Sequence, residues 1–114
     1  MTNINQDRMT DIALFAIHTR QVYFNVLMPT VKCLAKKAAR GVYNKEKALK
    51  AFYNAVNAIL KDFYAPWFNR YHGTACPWYR IASTDERRVI AAELLENYQD
   101  DIEELAEELK GGKK

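Results

Sequence analysis

His18, Cys33, His72 and Cys76 are the side chains best suited to metal binding or nucleophilic chemistry, and they are the only histidines and cysteines in the chain. Zinc takes about four N, S or O ligands in a tetrahedron, and a cysteine nucleophile needs a neighbouring base to form its thiolate. His72 and Cys76 lie near one another in sequence, but His18 and Cys33 belong to another segment, and the spacings form no metal motif. These side chains read as packed or half-exposed groups. No catalytic residue, metal or cofactor is expected, and two cysteines are too few for a disulfide framework.

Eight carboxylates fall between Glu93 and Glu108 with no basic residue among them. Paired carboxylates can move protons, and Glu-x-x-His pairs hold di-metal centres in bundles. No Glu-x-x-His occurs here. The cluster reads as the solvated face of a helix, with partner binding as the alternative. Before Ala82 there are 12 Lys and Arg against 4 Asp and Glu, a net of +8; after it, 5 against 10 give −5. Much of the positive charge, Lys32, Lys36, Lys37, Arg40, Lys45, Lys47 and Lys50, surrounds one bend of the chain. Such a patch could neutralise phosphates and bind nucleic acid with strong salt dependence, or it could balance the acidic helix.

The third group is aromatic. Trp67, Phe68, Tyr71, Trp78 and Tyr79 crowd one short stretch, with Arg70, His72 and Arg80 between them. Trp, Tyr and Arg carry much of the energy at protein interfaces. Trp67, Arg70, Tyr71, Trp78, Tyr79 and Arg80 are therefore the candidate protein-binding residues. The competing reading has these rings plugging an apolar strip elsewhere in the fold.

The elements that must position these groups are helices. From Asn44 to Trp67, the residues Ala48, Leu49, Phe52, Ala55, Val56, Ile59, Leu60, Phe63 and Trp67 share an arc of roughly 140°. An arc this wide needs two neighbours, so this segment is expected at the centre of a bundle. Asn44 suits its N-cap, Ala65 before Pro66 marks an end or bend, the pattern allows one more turn to about Tyr71, and Gly73 stops it.

The first segment is expected over Asp7 to Arg40, starting near Asp7 or Thr10, ended by Gly41 and kinked at Pro29; the alternative is two helices meeting near Thr19 to Phe24. Its main face is Met9, Ala13, Ala16, Tyr23, Leu27, Val31, Leu34 and Ala38. A second apolar strip of Phe15, Val22, Val26 and Cys33 must be covered by the aromatic connector or by a second copy of the chain. A short turn is possible around Trp78 to Ala82. Ser83 and Glu86 have the spacing of a capping box, which opens a last helix running to Lys110 with Ala91, Leu94, Leu95, Tyr98, Ile102, Leu105, Ala106 and Leu109 inside.

The expectation is an all-α bundle of three to four helices in a single domain of 114 residues, with disordered ends over 1–6 and 111–114. The longest apolar run, Ile12 to Ile17, is far too short to span a membrane. With no secretion signal, a cytoplasmic protein is expected.

Thr19-Arg20-Gln21-Val22-Tyr23, Val26-Leu27-Met28-Pro29 and Gly41-Val42-Tyr43-Asn44-Lys45-Glu46-Lys47-Ala48 resemble small accessory proteins of bacterial phages and integrative mobile elements. Trp78-Tyr79, Arg87 and Ala92-Glu93-Leu94-Leu95 fit the same resemblance, which covers about Thr19 to Ile102. That class contains inhibitors of host defence, among them anti-CRISPR proteins, and small regulators. The resemblance implies action by binding. The expected function is thus a non-enzymatic protein-binding module that inhibits or modulates a host defence complex, with a nucleic-acid-binding accessory protein as the alternative and a homodimer through the first segment as a further expectation.

Overall fold

The computed structural model describes residues 5–111. Among them there is no strand, and five helices form the expected all-α bundle: α1 (Gln6–His18), α2 (residues 20–39), α3 (residues 45–72), α4 (Trp78–Ile81) and α5 (Thr84–Gly111). Of the ends expected to be disordered, Asn5 caps α1, and Gln6 and Gly111 are helical. The remainder of those ends lies outside the described residues.

The centre of the bundle is α5, in place of the Asn44–Trp67 segment. It lies between α2 and the first half of α3 and also packs on α1, whereas α2 and α3 touch each other far less. Tyr23 meets Tyr98 with ring centroids 6.3 Å apart, and Val31 lines a groove with Leu105, so α2 runs parallel to α5. The Tyr43 hydroxyl donates to Gln99 Oε1 at 3.3 Å, whereas Arg87 donates to Tyr53, so α3 runs antiparallel to it. Ile90, Leu94, Leu95, Tyr98 and Ile102 of α5 share one core with Leu27 and Leu34 of α2 and with Phe52, Val56 and Ile59 of α3. Each large apolar side chain fully buried there contributes about 1.5–3 kcal/mol. Leu109, placed inside by its spacing, is exposed.

Helix ends follow local chemistry. Asn5, not Asp7 or Thr10, caps α1, its Oδ1 accepting the Arg8 N–H at 3.0 Å. Asn44 does the same for α3 through Lys47 N–H. At the start of α5, Glu86 N–H donates to Ser83 Oγ (3.1 Å) and Ser83 N–H to Glu86 Oε1 (2.8 Å), the reciprocal capping box. Gly41, at φ +77°, closes α2: its N–H bonds Ala38 O, and Val42 N–H bonds Lys37 O.

Two details depart from the sequence expectation. First, the interruption of the opening segment lies at Thr19, whose backbone is extended (φ −94°, ψ 114°), as in the alternative of two helices meeting near Thr19 to Phe24, and not at Pro29. In one regular helix Val22 would fall about 120° away from Ala16. The break at Thr19 brings both into the core. Second, both internal prolines follow a π turn. Met28 N–H reaches back to Tyr23 O, and Ala65 N–H to Leu60 O, five residues each. The wider turn relieves the clash between a proline ring and the carbonyl four residues earlier. Each helix therefore continues through its proline, and α3 runs past Ala65 to His72.

The π turn in α3 also shifts the phase of the residues beyond it. It inserts roughly one extra residue into the turn. Tyr64 is buried where a regular helix would bury Phe63, and Phe68 packs on the core while Trp67, expected inside, turns outward.

Candidate functional site

The rings of the second half of α3 form a continuous stripe on one face. Tyr64, Trp67, Phe68, Tyr71 and His72 recur at helical spacing, so each touches the next: Tyr64 lies 5.5 Å from Trp67 and 5.9 Å from Phe68 between centroids, and Phe68 lies 4.3 Å from His72. Trp67 and Tyr71 stack with centroids 5.6 Å apart and planes 7° from parallel. Phe15 of α1 supports this stripe from below, edge-on to Tyr64 at 5.1 Å and 5.6 Å from Trp67. Part of the second apolar strip is thereby covered by rings: Phe15 lies under Tyr64 and Trp67, Val22 is in the core, Val26 packs against it, and Cys33 is exposed.

The outer edge of the stripe remains open. Tyr71 is 74% exposed and Trp67 42%. Between this edge and the start of α1 lies a groove of about 690 Å³, whose walls include Asp7, Arg8, Asp11, Trp67, Tyr71 and His72. Burial holds the Tyr64 hydroxyl above the ordinary tyrosine value, and the nearby Asp11 carboxylate adds to the shift. The guanidinium of Arg8 is committed inward. It sits 5.9 Å over the Phe68 ring, and Nη1 donates to Ile81 O at 2.9 Å.

The remaining ring candidates are placed differently. Trp78 and Tyr79 meet edge to face at 5.9 Å on the single turn of α4, where Tyr79 and Arg80 are exposed and Trp78 is half-buried. Trp78 is a lid over Arg87, whose guanidinium lies 5.2 Å above its ring and 5.8 Å from that of Tyr53. Arg87 is only 8% exposed, and its acceptors are neutral oxygens: Ala82 O, Tyr79 O, Thr84 Oγ1 and the Tyr53 hydroxyl. That last bond holds Tyr53 below the ordinary tyrosine value. Among the described residues no ring contact joins Trp78 and Tyr79 to the Trp67–Tyr71 pair. The six candidates form two patches, with Arg70 exposed beside the first.

Asn69 orders the connector between the patches. Its Oδ1 accepts Cys76 N–H (2.9 Å) and the Thr74 hydroxyl (2.7 Å), and its Nδ2 donates to Cys76 O (2.9 Å). Gly73, at φ +65°, makes the reversal that returns the chain to this amide. Cys76 Sγ donates weakly to Pro77 O at 3.6 Å. Among the described residues no three His, Cys, Asp or Glu side chains gather as a metal would require, and no described helix is long and apolar enough to cross a membrane.

In the basic group, Lys32, Lys36, Arg40, Lys45, Lys47 and Lys50 are exposed and Lys37 is half-buried. Carboxylates of α5 share their grooves. Lys45 lines one with Glu96 and Glu103, and Lys32 another with Asp101. Because α2 runs parallel to α5, Lys36 and Lys37 lie toward the turns that carry Glu104, Glu107 and Glu108.

Residues outside the expected set are Asp7, Asp11, Asn69, Glu86 and Arg87. Arg87 falls one turn before Ala91 on the buried stripe of α5, a legible signal. Asp7 and Asp11 stand one turn apart and are two of the four acids before Ala82. The long reach of Glu86, whose Oε2 accepts Asn5 N–H at 2.6 Å, leaves no mark in local sequence. No family model matches the chain, and neither a curated protein nor a solved structure shows significant similarity to it.

Proposed function

We propose that this chain is a non-enzymatic protein-binding module whose contact surface is the exposed ring edge of α3, centred on Trp67, Arg70 and Tyr71. The observation that carries the reading is the stacked Trp67–Tyr71 pair, held from below by Phe15 and Tyr64 yet open on its outer side. Rings already fixed by neighbours lose little entropy on binding and bring large apolar area, which is what interface anchors do. Tyr79 and Arg80 form a second, smaller contact patch, and Trp78 serves mainly to cover Arg87.

In line with the sequence resemblance, the reading extends to an inhibitor or modulator of a host defence complex, of phage or mobile-element type, acting in the cytoplasm. The nucleic-acid alternative is less well supported, because the carboxylates of α5 share the grooves of Lys32 and Lys45.

The test compares proteins captured from a bacterial host lysate by the wild-type chain, an Arg70→Ala, Tyr71→Ala double variant and a Lys36→Glu, Lys37→Glu double variant. All four side chains lie outside the core, so far-ultraviolet circular dichroism should be unchanged. A partner retained by the lysine variant and lost by the ring variant is the expected result. The same proteins captured by wild type and ring variant would overturn the proposal.

A further inference from the structure

The groove beside the ring edge carries a charge of its own. On the α1 wall, Asp7 and Asp11 stand one turn apart, roughly 6 Å along the helix. On the α3 wall, Trp67 and Tyr71 have the same spacing, and the two helices run antiparallel here, since Phe15 meets Tyr64 and Trp67 while Arg8 meets Phe68. The carboxylates therefore face the rings across one groove. Among the described residues neither aspartate side chain has a hydrogen bond or ion pair, both residues are exposed, and the arginine in the groove, Arg8, is turned away to Ile81 O. Asp7 in the first turn of α1 favours the helix end. Asp11, in the second turn, has no such role.

We infer that this groove binds arginine side chains of the partner protein, each guanidinium lying against a ring of the Trp67–Tyr71 edge and bonding the Asp7 or Asp11 carboxylate opposite. A guanidinium is planar, stacks on ring faces and forks onto a carboxylate, and a lysine ammonium does only part of this. The molecule already sets guanidinium groups against rings internally, with Arg8 over Phe68 and Arg87 over Trp78 and Tyr53, there bonded to neutral oxygens. The two aspartates disfavour a nucleic-acid phosphate at this face. Their spacing fits arginines one turn apart on a partner helix. The inference rests on the ring-surface reading and specifies the chemistry that the surface selects.

The test uses nuclear magnetic resonance of the full chain labelled with nitrogen-15. Its two tryptophans report separately, Trp67 from the groove and Trp78 from the lid over Arg87. The probes are an alanine-based helical peptide with arginines at positions i and i+4 and its counterpart with citrulline at both, which keeps shape and removes charge. Titration with the arginine peptide is expected to shift the Trp67 indole signal and leave that of Trp78 in place. The citrulline peptide should bind about tenfold more weakly, and an Asp7→Asn, Asp11→Asn double variant should lose the arginine preference. Equal binding of the two peptides, an undiminished preference in the asparagine variant, or a shift confined to Trp78 would overturn the inference. The capture comparison between wild type and the Arg70→Ala, Tyr71→Ala variant decides the ring-surface reading separately, so failure here leaves that result standing.

Discussion

Glu86 makes a sharp test of how the groove is built, because it fastens the start of α1 to the start of α5. Glu86 is 5% exposed, and each carboxylate oxygen takes one backbone donor: Oε1 the Ser83 N–H and Oε2 the Asn5 N–H. Glu86→Gln keeps one acceptor and turns an NH₂ group towards the other donor. One part-buried N–H then loses its partner, at about 1–3 kcal/mol. Loss of the negative charge at a helix N-terminus adds about 0.3–1 kcal/mol. The expected cost is about 2–3 kcal/mol, which for a chain of this size lowers Tm by about 8–12 °C. Ser83→Ala removes only the neutral half of the box and should cost about 1 kcal/mol. Urea unfolding followed by circular dichroism gives the energies, and amide hydrogen exchange locates them: Glu86→Gln should speed exchange in the first turns of α1, where Asp7 and Asp11 stand, whereas Ser83→Ala should act on the first turn of α5 alone. A Glu86→Gln variant within about 0.5 kcal/mol of wild type, or one with unchanged exchange in α1, would refute the reasoning.

Tyrosine titration followed by ultraviolet absorbance should separate three hydroxyls, Tyr53 ionising early beside Arg87 and Tyr64 and Tyr98 late through burial. Because the unfolded chain releases the Tyr64 and Tyr98 protons near pH 10, about the ordinary value, while the folded chain holds them, stability should fall as pH rises from there through the folded-state values; Tyr98→Phe should flatten that fall, and an unchanged slope would contradict the assignment. Asn69→Ala removes three hydrogen bonds and should cost about 2–3 kcal/mol, with faster exchange at Thr74 and Cys76; an effect below about 0.5 kcal/mol would mean that the connector is held by other groups. Lys36→Glu with Lys37→Glu should leave duplex DNA mobility unchanged at low salt, since the wild-type chain is expected not to bind; a wild-type shift that the double change abolishes would instead favour the nucleic-acid reading.

Much of the bundle was legible because its signals are local. Apolar spacing marked the helices, Asn44 and the Ser83–Glu86 pair marked two starts, and Gly41 and Gly73 marked two stops. What spacing misjudged were the places where helical phase changes. A pattern read at a constant 100° per residue places Phe63 and Trp67 inside and runs α1 into α2, because neither the π turns nor the extended Thr19 alters composition. The proline positions carried the clue, but a proline can be met by a kink, a stop or a wider turn, and that choice is made by the packing around it. The ring candidates were found by composition alone, and only the fold divides them into an open edge at Trp67 and Tyr71 and a lid at Trp78. The acidic wall was missed because Asp7 and Asp11 lie far in sequence from the rings they face.

The widened turn at residues 60–64 works like a gear tooth inserted between the buried half of α3 and its outward half. Adding a single residue just beyond it would rotate everything further along by about 100°, swinging Trp67 into the inward place that Phe68 holds and carrying Phe68 away from the core. The outward character of this surface thus depends less on which aromatic residues the chain carries than on the count of residues ahead of them. A one-residue insertion after the turn, with no aromatic altered, would bury the open ring edge while leaving composition and helix content almost untouched, whereas a one-residue deletion within the turn would restore regular α geometry and keep that edge facing out.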